Sequence, residues 1–413
     1  MRSIRFRTEY VLWPVIFLIA IVPAIFRDVE RFGDSSDYVM MGSSIAYDAD
    51  LLYSEEDLFR IQRMKPPETD FPAGMFLIRD DTGRLLVGGH SFYYSLAAAP
   101  FFRIFGIRGF QIFNSLLWFL IAVLFFVRLR PEVGVMRYGL ILIGLLFTAT
   151  YDYILWQTPA TWLLAVSGLF LYFYEQKRFL IAGLFLGIAG ASQYPLWFWG
   201  LVAFIDTVRR RIPPEDLLII LVTAVLAGIP QILYFRIVTG TWHVTWLDLG
   251  TSSRFLYFPF NFPGEALFDR TRHTIVFSRF ARINHVNPLD ILRALISPRF
   301  GLFWFYPFSA FAIVRMIREK SNWPPVIAFF AILFAFCTAG RLETHQVGLR
   351  YLNPIYPVLL FGFRGLYFDR LEKLTLIFAL IFGLSFALFP GANSMEANSD
   401  KMTVPALIER LGM

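Results

Sequence analysis

"YVLWPVIFLIAIVPAIFRDVERFGDSSDYVMMGSSIAYDADLLY", Tyr10 to Tyr53, sets an unbroken apolar run against a segment with four aspartates between Gly33 and Tyr53: Asp34, Asp37, Asp48 and Asp50. The apolar part is close to the ~20 residues that a helix needs to cross ~30 Å of hydrocarbon. The acidic part would then lie at the lipid surface.

Blocks of the same kind recur along the chain, among them "KLTLIFALIFGLSFALF", Lys373 to Phe389. Of the 413 residues, 57% are hydrophobic and 17% charged, against roughly 25% charged in soluble domains. The runs are continuous rather than alternating in polarity, which argues for helices and against a membrane barrel. The sequence predicts an all-α polytopic membrane protein, a single integral membrane domain over 1–413, with about eleven transmembrane helices. The expected spans are 10–27, 110–128, 138–152, 159–174, 179–194, 195–208, 217–237, 300–315, 323–339, 351–366 and 374–390.

The basic start "MRSIRFRTEYVLW" leads through a long apolar stretch to Pro23 and Phe26-Arg27, not to a small-residue cleavage site, and reads as a retained first span. Cys337 is the one cysteine and falls in an apolar helix, where it packs as a small hydrophobe. The net charge is +7. Its basic residues flank spans, which fits membrane topology and anionic lipid and gives no reason to expect nucleic acid.

Short segments rich in Lys and Arg stay cytoplasmic. "RSIRFR", "RLRPEVGVMR", "EQKR", "RRRIPPED", "RMIREKSN" and "DRLEK" fall on alternate ends of the spans, all on one side. That places the N-terminus in the cytoplasm. The outer side receives two long segments, 28–109 and 238–299, and all five histidines, His90, His243, His273, His285 and His345. A chain that keeps its titratable groups on one face does its work there; long aqueous loops collect polar residues in any case, and both readings stand. The first outer loop holds two amphipathic stretches, 35–47 and "HSFYYSLAAAPFFRIFG" (His90–Gly106), expected as juxtamembrane helices lying in the interface. Between them, "RDDTGR" (Arg79–Arg84) carries hairpin signals.

An aspartate just before a helix caps it, so Asp34 reads as an N-cap and Asp37 as a first-turn acid favoured by the helix dipole. The same position suits a general base that takes a proton from an acceptor hydroxyl. A cap also fixes the geometry that a base requires.

"GDSSDYVMMGSSIAYDADL" resembles the first outer loop of bacterial GT-C membrane glycosyltransferases, the fold class of the protein mannosyltransferases and the aminoarabinose transferases. Gly33, Asp34, Tyr38, Asp48, Asp50 and Leu51 carry the match. "HSFYYSLAAAPFFRIFG" is similar to the family's juxtamembrane helix, "SPRFGLFWFYPF" (Ser297–Phe308) to the start of a later span, and "GLRYLNPIYPVLL" (Gly348–Leu360) to its Gly-x-Arg-Tyr-Leu-x-Pro segment.

The resemblance implies transfer of a sugar from a polyprenyl-phosphate donor to a lipid, glycan or protein acceptor. It implies inversion, Asp34 as general base, and an active face on the periplasmic or extracellular side of a bacterial inner (plasma) membrane. Ser35 stands where many relatives have Glu, so no metal or second-carboxylate role carries over to that position, and Asp37 is the available substitute. Some GT-C enzymes carry an acid in the loop corresponding to "TATYDYILWQ" (Thr148–Gln157), which makes Asp152 a second candidate. Read from the residues alone, Tyr151, Tyr153 and Trp156 form an aromatic belt and Asp152 reaches water.

A departing phosphate needs positive charge, for which Arg is suited. Arg350 in the matching motif is the first candidate, with Arg299, Arg341 and His345 beside it. Snorkelling to the interface accounts for any one of these arginines equally well. A divalent metal ion stays open as a cofactor, although no histidine pair has helix-face metal spacing. The chain shows no Gly-rich nucleotide loop, in keeping with a lipid-linked donor. Two other classes remain. A lipid or small-molecule transporter or flippase would build its site at the midplane, often from repeats, and neither feature is visible. A non-catalytic GT-C-like membrane scaffold would keep the frame without the chemistry.

Overall fold

The computed structural model describes residues 2–27, 35–64, 75–79, 85–87, 90–129, 134, 136–239, 242, 255–258, 288–296, 301–319, 323–338, 351–362 and 369–388. Asp34, Arg299, Arg341, His345 and Arg350 lie outside the described residues.

Every one of the eleven expected spans contains helix. Among the described residues three helical stretches are by length and composition long and apolar enough to cross a membrane, Tyr93–Arg128, Pro214–Ile237 and Arg370–Leu388, and six shorter apolar helices join them. On the helix Pro214–Thr239, Leu218, Leu221, Val225 and Leu226 are exposed. Lipid tails are the solvent that tolerates such a surface. The chain is an integral membrane protein.

α1 (Arg2–Phe26) turns a stripe of Ile16, Ala20 and Ala24 inward at four-residue spacing. Trp13 meets Phe119 and Phe126 edge-on, with ring centroids 5.7 and 5.0 Å away. α2 (Ser35–Asp48) is one of the two helices expected in the first long segment, and every residue from Ser35 to Ser44 is buried against the rest of the protein. The reason is size: Ser35, Ser36, Gly42, Ser43 and Ser44 let the helix sink until a Cβ on Gly42 would stand 2.6 Å from Phe110 Cζ.

Asp48 and Asp50 close α2. Ala49 takes a positive φ of 57°; the Ser44 hydroxyl donates to Asp50 Oδ1 at 2.7 Å, and Arg60 donates to both Asp48 oxygens, at 2.8 and 3.1 Å. α3 (Glu55–Met64) opens with a capping box. The Ser54 N–H donates to Asp57 Oδ2 at 3.1 Å and the Asp57 N–H to Ser54 Oγ at 3.3 Å.

β1 (Met75–Arg79) and β2 (Leu85–Val87) are the hairpin expected around "RDDTGR", paired Arg79 to Leu85. β3 (Phe255–Phe258), from the second long outer segment, pairs antiparallel with β1 to give the order β2-β1-β3. Segments 28–109 and 238–299 therefore meet in one small sheet beside an otherwise helical frame.

α4 (Tyr93–Phe105) and α5 (Gly109–Arg128) are near-continuous but break at Gly106, whose φ of +61° a residue with a Cβ adopts only at a cost. α6 (Met136–Ile141) runs into a single π turn, Leu142–Leu146, followed by α7 (Ala149–Asp152). α8 (Ala160–Glu175), α9 (Phe179–Ser192), α10 (Gly200–Val208) and α11 (Pro214–Thr239) follow. The later part comprises α12 (Pro288–Ile296), α13 (Leu302–Phe305), α14 (Phe308–Glu319), α15 (Trp323–Thr338), α16 (Pro357–Phe361) and α17 (Arg370–Leu388).

The ends of these helices sort into two groups. At one end, Arg128 pairs with Glu175 and also donates to the Phe361 carbonyl. Arg318 pairs with Asp369, Arg315 with Glu372 at 3.1 Å, and Arg211 with Asp206 at 3.6 Å. These are the basic segments that the alternation assigns to one side; the first three pairs tie elements far apart in sequence, and Arg211–Asp206 is local. The opposite end carries α2, α3, the sheet and the start of α4.

Candidate active site

At that opposite end, the first turn of α2 meets the residues leading into α4. Asp37 is fully buried, and its Oδ2 lies 3.2 Å from Nε2 of buried His90. The Tyr38 ring stacks on the imidazole, centroids 5.3 Å apart and planes 25° from parallel. The Ser95 hydroxyl holds the Tyr38 carbonyl at 3.0 Å. A buried carboxylate is costly unless paired, and an imidazole is the partner whose charge changes near neutral pH.

From Tyr38 a chain of contacts runs inward. Tyr38 packs edge-on against Tyr94, whose hydroxyl donates to Asn114 Oδ1 at 3.1 Å. Asn114 in turn donates to the Trp156 carbonyl at 2.6 Å. Gln111 Nε2 reaches the Leu155 carbonyl at 3.1 Å, and Gln157 Nε2 the Ile107 carbonyl at 2.9 Å. Amides from α5 thus satisfy a loop, Tyr153–Thr158, that is buried throughout.

Asp152 starts this loop and is 3% exposed, and Tyr151, Tyr153 and Trp156 are equally buried. The interfacial reading of this stretch is corrected: the loop, whose Leu155 and Trp156 carbonyls accept from Gln111 and Asn114, is buried in protein. Tyr306 hydrogen-bonds with Tyr153 and stands within electrostatic reach of Asp152. Its hydroxyl also meets Asn353 Oδ1 at 3.3 Å, while Asn353 Nδ2 donates to the Ala160 carbonyl at 2.8 Å. Tyr356 packs on Tyr306 with centroids 4.8 Å apart and donates to the Gly144 carbonyl of the π turn at 2.6 Å.

The end of α1 belongs to the same region. Arg108 donates to the carbonyls of Ile25 and Arg27, each at 2.7 Å, and the Tyr151 hydroxyl donates to the Ile19 carbonyl at 2.8 Å. Arg27 acts electrostatically on Tyr151. Both described residues that border the segment holding Asp34, Arg27 and Ser35, are therefore at this end.

Of the sequence-derived candidates, the structure describes Asp37 and Asp152. It joins the segments that carry them through the tyrosine and amide network. Tyr351, the neighbour of Arg350 in sequence, is buried with its ring 5.2 Å from that of Phe336. His90, Tyr94, Gln111, Asn114, Tyr306 and Asn353 were not singled out from the sequence. The signal for two of them was there: Gln111 and Asn114, three apart in an apolar span, mark a polar helix face that needs a partner.

Among the described residues no three His, Cys, Asp or Glu side chains gather as a metal-holding group. An apolar cavity of about 250 Å³, lined by Ile313, Met316, Trp323, Phe329, Val358 and Leu359 among others, lies near the ion-paired end and offers almost no polar surface. It is remote from the acid–imidazole pair.

No protein-family profile matches the sequence, and no curated protein matches it. Among solved structures the chain is similar to ArnT from Cupriavidus metallidurans bound to undecaprenyl phosphate, with a TM-score of 0.54 and 12% identity over 98% of this chain and 71% of that one. At this identity the likeness is one of fold. The chain has a helical membrane fold similar to that of ArnT.

Proposed function

We propose that this chain is a bacterial inner-membrane glycosyltransferase that moves a sugar from a polyprenyl-phosphate donor to a lipid, glycan or protein acceptor on the outer face. One observation carries the reading. Sequence stretches from five distant parts of the chain, around Asp37, His90, Asp152, Tyr306 and Asn353, converge on one network at one end of the bundle. A transporter would be expected to place its polar groups near the midplane between repeats. The likeness to a protein that binds undecaprenyl phosphate supports the choice of donor.

In the proposed reaction the acceptor oxygen attacks the anomeric carbon from the side opposite the phosphate. The bond from that carbon to the phosphate oxygen breaks, and the electron pair leaves with the phosphate. The acceptor proton passes to the Asp34 carboxylate, and the anomeric configuration inverts. Asp37, one helical turn along, holds His90 in place. Arg350, with Arg299, Arg341 and His345 as neighbouring candidates, neutralises the departing phosphate.

The test is release of sugar from a polyprenyl-phosphate donor by the purified full chain. Asp34→Asn is expected to cut the rate by about 10²-fold or more, the scale of a lost general base. An active wild type whose rate ignored that substitution would overturn the assignment.

A further inference from the structure

Three buried polar groups beside the acid–imidazole pair have no hydrogen-bond partner in the fold. Gln231 on α11 is 1% exposed and Ser91, next to His90, is 7% exposed. The Gln231 amide nitrogen, the Ser91 hydroxyl and the Tyr234 hydroxyl are each shielded from solvent and unpartnered. Folded proteins leave few such groups, and each one calls for a reason.

The three belong to one place. The Phe92 N–H donates to Gln231 Oε1 at 3.1 Å, which fixes the carboxamide at the start of α4. The Phe92 ring meets Tyr234 edge-on, centroids 5.8 Å apart. Tyr93 donates to the Ala227 carbonyl at 2.5 Å, one turn before Gln231 on the same helix. Gln231 and Tyr234 are three apart and share a face of α11, and Ser91 precedes Phe92 directly. The N-cap residue Phe92 offers no side-chain cap to the first turn of α4, whose leading N–H groups, as in any helix, have no intrahelical acceptor.

On the glycosyltransferase reading, we infer that Ser91, Gln231 and Tyr234 form a sugar-binding subsite, in which hydroxyl oxygens of the donor's sugar satisfy the three groups. All three are neutral. The serine and tyrosine hydroxyls both donate and accept, as sugar hydroxyls do, and the Gln231 amide offers donors alone because its oxygen is already used. The rings of Phe92 and Tyr234 supply apolar walls, the usual surroundings of a few placed polar groups in a binding site. A phosphate would be matched instead by an arginine.

Tyr234→Phe and Ser91→Ala make a clean test, because each removes a hydroxyl that bonds to nothing in the unliganded fold. Without ligand, both variants of the full chain in detergent are expected to melt at or above the wild-type temperature. With an undecaprenyl-phosphate-linked hexose, each is expected to bind about tenfold more weakly, the value of one neutral hydrogen bond. Binding of sugarless undecaprenyl phosphate is expected to stay unchanged. If the variants lose affinity equally for the sugarless lipid, or keep wild-type affinity for the sugar-bearing one, the subsite is refuted while the donor assignment stands. A wild type that binds neither lipid overturns the glycosyltransferase reading and the subsite with it.

Discussion

Replacing Gly187 by alanine should loosen the helix pair on which the proposed subsite depends. Gly183 and Gly187 lie four apart on α9, against α11. A Cβ on Gly187 would stand 2.1 Å from the Ala224 carbonyl oxygen and 2.7 Å from the Ala227 Cβ. Both obstacles are fixed by helix backbone. Ordinary contact begins at 3.4 Å, so the helices must part by about 1.3 Å. A gap of roughly 0.5–1 Å already forfeits a quarter to a half of a dispersion contact, and overpacking costs about 1–3 kcal/mol. Taking the upper end of that range, because a carbonyl cannot rotate aside, and returning about 1 kcal/mol for the better helix propensity of alanine, the net loss is about 2 kcal/mol. Gln231 lies one turn beyond Ala227 on the same helix, so the shift is expected to disturb the Gln231 carboxamide that accepts from the Phe92 N–H at 3.1 Å and to weaken donor binding. Reversible unfolding in mixed micelles measures the first effect. Gly139→Ala is the control, since a Cβ there meets nothing within 4 Å. If Gly187→Ala unfolds like Gly139→Ala, the close-packing argument is wrong.

Two further substitutions probe charge. Arg315 and Glu372 are 1% and 0% exposed on their side chains and 3.1 Å apart, so Arg315→Met alone should cost about 3–5 kcal/mol by stranding the carboxylate, whereas Arg315→Met with Glu372→Leu should recover most of it. A double-mutant cycle in detergent reads the difference, and a double variant as weak as the single would contradict the account. Burial raises the pKa of Asp57, outweighing the Ser54 hydrogen bonds and the Arg60 charge that lower it. A carboxyl raised on folding adds stability that is full below its unfolded value of about 4 and is lost as pH rises through the folded value. The melting-temperature advantage of wild type over Asp57→Asn should therefore grow as pH falls from 7 toward 4, and a flat or opposite trend would remove burial as the dominant cause.

Much of the frame was legible because lipid makes a strict demand. Each apolar run that the sequence offered became helix, and the alternation of basic segments agrees with the ion pairs that gather Arg128, Glu175, Arg318 and Asp369 at one end. The "RDDTGR" hairpin was legible through its turn residues. What stayed hidden was non-local or steric. Nothing in "FLYF" at Phe255–Phe258 names β1 as its partner. The depth of α2 follows from small residues along it, with Gly42 against Phe110, and a periodicity argument reads that helix only as weakly amphipathic. The glycine pair on α9 was visible at the spacing typical of close helix packing, but a spacing does not say which helix approaches.

The site was less legible for a related reason. A polar residue at the end of a span fits two environments, water or a buried partner, and local sequence does not separate them. From local sequence Asp152 fits either the second acid that the resemblance implies or an interfacial belt reaching water, and the amides that bury its loop come from Gln111 and Asn114 on a different helix. His90 was passed over because its partner, Asp37, lies in a separate element. The distinction rests on accounting. Once Gln111 and Asn114 are placed in a membrane frame, each has polar atoms to satisfy, and the Leu155 and Trp156 carbonyls of the Tyr153–Thr158 loop are the acceptors within reach. Ser91, Gln231 and Tyr234 fail the same accounting, so the residues whose bonds the fold leaves unmade point outside the chain for their partner.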